Sequence, residues 1–167
     1  MNFSTKIALG LFLLLSASCK EHLFSDTSIQ KKVEQDFNEK QKELPEGNLF
    51  GVFSEPLPTT EREALMFLYA YMPVGDITDY DADFHRMNVQ YALKTKQEMP
   101  WGKTIPLREF IHFVLPVRVN NENLDDSRKV FYEELKNRVK HLSMYDAVLE
   151  VNHWCHEKVV YTPSDSR

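Results

Sequence analysis

Glycine and cysteine are scarce in this chain, with five and two in 167 residues. The scattered glycines form no phosphate-cradling loop, and neither a nucleophile elbow nor an HExxH helix occurs. Two cysteines, Cys19 and Cys155, permit at most one disulfide. Basic residues are in the minority: 20 Lys and Arg against 25 Asp and Glu give a net charge of −5. That balance argues against a nucleic-acid partner, which calls for a basic face. The first apolar run, Ile7 to Leu15, has nine residues, well below the roughly 20 needed to cross a bilayer.

What is present begins with that run. Lys6 gives it a positive flank, and Ser16-Ala17-Ser18 leads into Cys19. Small residues at a cleavage site after a short apolar core describe a secretory signal over residues 1–18. A cysteine just after the cut is what bacterial lipoprotein processing requires. Cys19 is therefore the expected lipidation site, with Ser16 at minus three and Leu15 one place further back. Each buried methylene of an acyl chain contributes about 0.8 kcal/mol, so several chains hold a protein at a membrane. The expected location is the bacterial cell envelope, as an outer-membrane lipoprotein facing the periplasm or the surface. With Cys19 acylated, Cys155 has no disulfide partner.

Removing the signal leaves 149 residues and a net charge of −6. That is the usual size of one domain, large enough for a core without disulfides. Residues 19–27 read as a polar tether. Ile29, Val33 and Phe37 recur every fourth residue and predict an amphipathic helix over 28–42. Residues 48–58 read as an extended segment pinned by Phe50 and Phe53. Thr60 with Glu63 forms a capping-box signature before an apolar helix ending near Met72. Residues 74–84 read as an acidic loop, 85–98 as a helix with Met87, Tyr91 and Leu93 inward, and 107–115 as a helix buried all round. Two further helices follow, the second opened by a cap of Ser143 with Asp146. Phe131, Leu135, Val139 and Leu142 form the first stripe; Met144, Ala147, Val148, Val151, Cys155 and Val159 form the second. The short link between them favours an antiparallel pair, and Val159 to Tyr161 is a possible strand start. The fold class expected is mainly α.

Candidate chemistry concentrates in Asn152-His153-Trp154-Cys155-His156-Glu157. At about 100° per residue, Cys155 falls on the apolar stripe and His153 nearly opposite, so a zinc site is disfavoured. A nucleophilic role for Cys155 is disfavoured too, because it lies deep in its helix rather than at an N-terminus. Asp76, Asp79, Asp81 and Asp83 alternate as calcium ligands do, but lack the glycine and terminal glutamate of an EF-hand. The residues point to no catalytic group, no cofactor and no metal.

The strings PWGK at 100–103, HFVLPVRVNNE at 112–122 and YDAVLEVNHWCHEKVVYTPSDSR at 145–167 are far from generic. Together with the lipoprotein signal they resemble the N-terminal part of the Bacteroides-type transglutaminase-like lipoproteins, papain-like enzymes with a Cys-His-Asp triad. The resemblance implies a helical N-terminal region over 28–142 and the start of an incomplete transglutaminase-like α+β core over 143–167. In that family the triad lies beyond the segment matching Thr162 to Arg167, and no residue here matches a triad position. The implied function is a non-catalytic scaffold for a Cys-His-Asp acyl-transfer or amide-hydrolysis domain, the chain being a truncated product or part of a longer one. Its implied partners are the membrane, through the lipid, and a protein or peptide substrate. The alternative expectation is a stand-alone lipid-anchored binding module.

Overall fold

A computed structural model of the protein describes residues 21–44, 48–120 and 122–158. It is mainly α, with no strand among the described residues. Seven helices are described: α1 (Thr27–Glu43), α2 (Thr59–Tyr71), α3 (Val74–Asp79), α4 (Ala82–Glu98), α5 (Leu107–Glu109), α6 (Ser127–Val139) and α7 (Met144–Lys158). The signal, Cys19 and the possible strand at 159–161 lie outside the described residues, as do residues 162–167.

Local chemistry sets the helix starts. The Asp26 carboxylate accepts from the Ser28 N–H at 2.7 Å and caps α1; Asp81 caps α4 through the Phe84 N–H at 2.7 Å. Ser143 and Asp146 bond as anticipated: the Ser143 hydroxyl donates to Asp146 at 2.7 Å and accepts its N–H at 3.2 Å. The box expected at α2 does not form. Pro58 precedes that helix instead, and its signature residues work on a distant segment. Thr60 donates to the Glu21 carbonyl at 2.7 Å, while Glu63 accepts from the Leu23 N–H at 2.6 Å and bonds His22. Phe24 is thereby buried against Phe67. Residues 21–26, read as part of a polar tether, are thus docked on α2.

The main core lies between α1, α2 and α4. Val33 and Phe37 of α1 meet Leu65, Leu68 and Tyr69 of α2, with Val89 and Ala92 of α4 behind them. Phe37, Phe50, Phe53 and Tyr69 interlock, with neighbouring ring centroids 4.6 to 6.5 Å apart. The aromatics do pin residues 48–58, although Gly51–Ser54 form a 3₁₀ turn rather than an extended strand. The inward face of α4 is His85, Asn88, Val89 and Ala92, a one-position shift from the expected stripe; Met87, Tyr91 and Leu93 are only half-buried.

Helix α5 continues directly into a π-helical turn, Phe110–Val114. The Leu115 N–H donates to the Phe110 carbonyl at 2.8 Å, five residues back, so Phe110 and Leu115 share one face and both are fully buried. The inserted residue turns Phe113 outward, 80% exposed, so this segment is not buried all round. The carbonyls left over at its end are claimed by Arg128 of α6. Its guanidinium donates to Val114 at 2.8 Å, Leu115 at 3.0 Å, Pro116 at 2.7 Å and Asn88 at 3.2 Å. Burial pushes the Arg128 pKa down to about 10, which leaves it charged at neutral pH.

Helices α6 and α7 form an antiparallel pair. Arg138 meets Glu150 at 2.5 Å near the link, whereas Glu134, further from it, meets Trp154 at 3.1 Å and Lys158 at 2.9 Å. The inward face of α7 keeps Ala147 and Val151 of the expected stripe and adds Trp154, while Cys155 is only half-buried. Val148 and Met144 point outward, 62% and 54% exposed. A second small core joins Met99, Val139 and Ala147, with Trp101 over it. Gly102 is fixed by contact, since a Cβ there would lie 2.1 Å from the Lys96 carbonyl oxygen.

Replacing Arg128 with methionine strands several backbone carbonyls while keeping the side chain's bulk. The expected loss is about 3–5 kcal/mol of unfolding free energy, read by urea denaturation; a loss under about 1 kcal/mol would show that the carbonyls find other donors.

Candidate functional site

A groove of about 830 Å³ opens beside the main core. Each wall follows from helical spacing. Ser28, Ile29, Lys32 and Val33 present one face of α1; Phe67, Leu68, Tyr71 and Met72 present the C-terminal end of α2. Leu107, Arg108, Ile111 and His112 come from α5 and its π turn, and such turns recur at functional sites. Asp76 of α3, His85 of α4, and Pro116, Val117, Arg118 and Leu124 line the far end.

The polar groups there are held in place. Asp76, only 5% exposed, receives the Arg118 guanidinium through Nε at 2.9 Å and Nη2 at 2.6 Å. Asp76 raises the Arg118 pKa further above its ordinary value. Arg118 also donates to the Glu122 carbonyl at 2.5 Å, and Glu122 accepts from the Val119 and Asn120 N–H groups at 2.7 Å each. Those N–H groups hold the Glu122 carboxyl below its usual range. At the near end the Tyr71 hydroxyl donates to Asp36 at 2.5 Å, and Lys32 lies 3.0 Å from the same carboxylate. Tyr71 first, then Lys32, keeps Asp36 below the ordinary carboxylate range.

His85 is 1% exposed and ringed by Tyr69, Tyr80 and Phe84. Its Nε2 lies 2.9 Å from the Asp76 carbonyl oxygen, which only accepts, so Nε2 carries the proton. Nδ1 is then a buried acceptor without a donor, and Asn88 Oδ1, one turn along, is another. Burial pushes the imidazole pKa down; its bond to the Asp76 carbonyl and the Asp76 and Asp81 charges oppose that shift without overcoming it.

The residues singled out from the sequence are not brought together. Trp154 is buried between α6 and α7, its Nε1 donating to Glu134 at 3.1 Å. Cys155 is half-buried and free; His153 and His156 are exposed, with His153 bonding Glu157 at 3.1 Å. Glu157 in turn accepts from Arg138 at 3.0 Å. No cluster of three or more His, Cys, Asp or Glu among the described residues is placed to hold a metal. The acidic stretch is not a loop: α3 occupies Val74–Asp79, Asp76 is paired with Arg118, and Asp81 caps α4.

No family model, curated protein or solved structure matches this chain.

Sequence reasoning missed His85, Arg118 and the groove. A signal existed in α4, where His85 and Asn88 share the helical period of Val89 and Ala92 and so fall inside an apolar stripe. No local signal joins Asp76 to Arg118, 42 residues away.

The His85 geometry sets a pH dependence. The folded protein holds the ring neutral, while the unfolded chain takes up a proton near pH 6.5. Stability is therefore full above about pH 6.5 and declines as pH falls toward the lowered folded pKa. Urea midpoints of the wild-type protein should fall between pH 7 and pH 5 (on the order of two pH units). His85→Gln, which keeps a donor for the Asp76 carbonyl, should flatten that decline; an unchanged slope would contradict the assignment.

Proposed function

We propose that this chain is the membrane-tethered, non-catalytic scaffold of a transglutaminase-like cell-envelope lipoprotein, built to carry a Cys-His-Asp acyl-transfer domain on α7. The observation that supports the reading is the outer strip of that helix. Met144, Tyr145, Val148 and Leu149 stand 54%, 72%, 62% and 50% exposed, beside the strip that meets α6. A contiguous apolar patch of this kind marks an interaction surface. The helix around 144–159 is the one that the family resemblance puts beneath the catalytic helix. Its remaining chemistry fits a support: Trp154 and Ala147 secure it to α6, and Arg138 ties it through Glu150 and Glu157. Lipid at Cys19 would provide the membrane contact, and the catalytic domain the contact with a protein or peptide substrate.

A second reading, a lipid-anchored module that binds a ligand by itself, is favoured by the groove. Apolar walls with a few fixed polar groups are what small-molecule sites offer.

Fusing the family's catalytic segment after Arg167 should give transamidase or amidase activity that depends on the added cysteine. Val148→Glu with Leu149→Glu should abolish that activity while shifting the stability of the unfused chain by no more than about 0.5 kcal/mol per site. An inactive fusion, or full activity in the double variant, would contradict the scaffold reading. Mass spectrometry of the membrane-extracted protein should find acyl chains on an amino-terminal Cys19.

A further inference from the structure

The walls and charges of the groove restrict what it accepts. Ile29, Val33, Phe67, Leu68 and Ile111 form its apolar surface. Those walls are helices whose backbone groups bond internally, so an extended peptide laid along them finds no row of main-chain partners. A hydrocarbon chain needs none. The charges then decide the headgroup. Lys32 faces Asp36 at 3.0 Å and Arg118 faces Asp76 at 2.6 Å, so each of these pairs is close to neutral. Arg108 is exposed at the rim with no carboxylate of the described residues within 4.0 Å. The rim therefore carries an unmatched positive charge.

Orientation follows from the far end. There the Arg118 guanidinium is already held by the Asp76 carboxylate through two donors, so a ligand carboxylate would find that charge matched. An anionic head belongs beside Arg108, with its tail running toward Phe67 and Leu68. We infer that the groove binds a long-chain monocarboxylate, a fatty acid, with its carboxylate on Arg108 and its alkyl chain between α1, α2 and the π turn. The inference rests on the binding-module reading and gives that module its ligand class. It is independent of the scaffold reading. Binding is non-covalent, and no bond in the ligand changes.

The test is photolabelling of the full chain in phosphatidylcholine vesicles with a diazirine-bearing palmitate, the labelled residues being located by mass spectrometry. Labels should map to Ile29, Val33, Phe67 and Ile111, and competition by octanoate, decanoate and dodecanoate should strengthen about fourfold per methylene. Arg108→Glu should reduce groove labelling about fivefold. Ile29→Glu, which sets a charge in the wall at a residue already 40% exposed, should abolish it. Diazirine-bearing alcohol and alkyltrimethylammonium probes should label the groove less than palmitate does. If all three probes label it equally and Arg108→Glu changes nothing, the carboxylate assignment is overturned while a ligand-binding groove stands. If no probe labels it above the exposed face of α7, the fatty-acid inference and the binding-module reading fail together.

Discussion

The Arg128 guanidinium lies among four backbone carbonyls, from Asn88, Val114, Leu115 and Pro116, and in doing so joins α4, the π turn and α6. A helix end leaves carbonyls without partners, and in a buried place each one costs stability unless a donor arrives. Arginine can meet several at once because its donors lie in a fixed planar fork, whereas lysine offers a single point. This contact sets the position of the π turn, and the π turn sets one wall of the groove. It also seats α6, on which α7 rests.

Much of the architecture could be read from residue spacing. Val33 and Phe37 predicted the buried face of α1, the apolar run from Ala64 predicted α2, and Ser143 with Asp146 predicted the start of α7. Errors arose where one signal had two physical outlets. Thr60 and Glu63 have the spacing of a capping box, yet they bond residues 21–24 because docking Phe24 buries a large ring. In α7, apolar residues cover two adjacent faces, and periodicity alone does not say which one meets α6. Trp154, the largest side chain available, decides it, moving the buried face away from Cys155. The π insertion at Phe110–Val114 was hidden for a related reason: a run apolar on every side gives no phase from which an extra residue shows.

The strings PWGK at 100–103, HFVLPVRVNNE at 112–122 and the one that starts at Tyr145 each contain residues that hold this fold. Gly102 of PWGK leaves room for the Lys96 carbonyl, and Lys96 in turn donates to the Gly102 and Ile105 carbonyls at 3.0 Å. In the second string Arg118 binds Asp76, and Glu122 accepts from the Val119 and Asn120 N–H groups. Ala147 and Trp154 in the third bind α7 to α6. These positions hold shape, and the surfaces they hold are an open helical strip and an apolar groove.

Helix α4, the π turn and α6 form one cooperative unit around a single guanidinium. Native-state hydrogen exchange tests it most directly, because it reports the free energy of opening at each amide. The amides of Leu115, Val89 and Tyr132 should open together, with one shared free energy close to that of global unfolding. A Leu115 amide that exchanges orders of magnitude faster than Val89 and Tyr132 would contradict the claim, showing a π turn that opens while the helices around it stay closed.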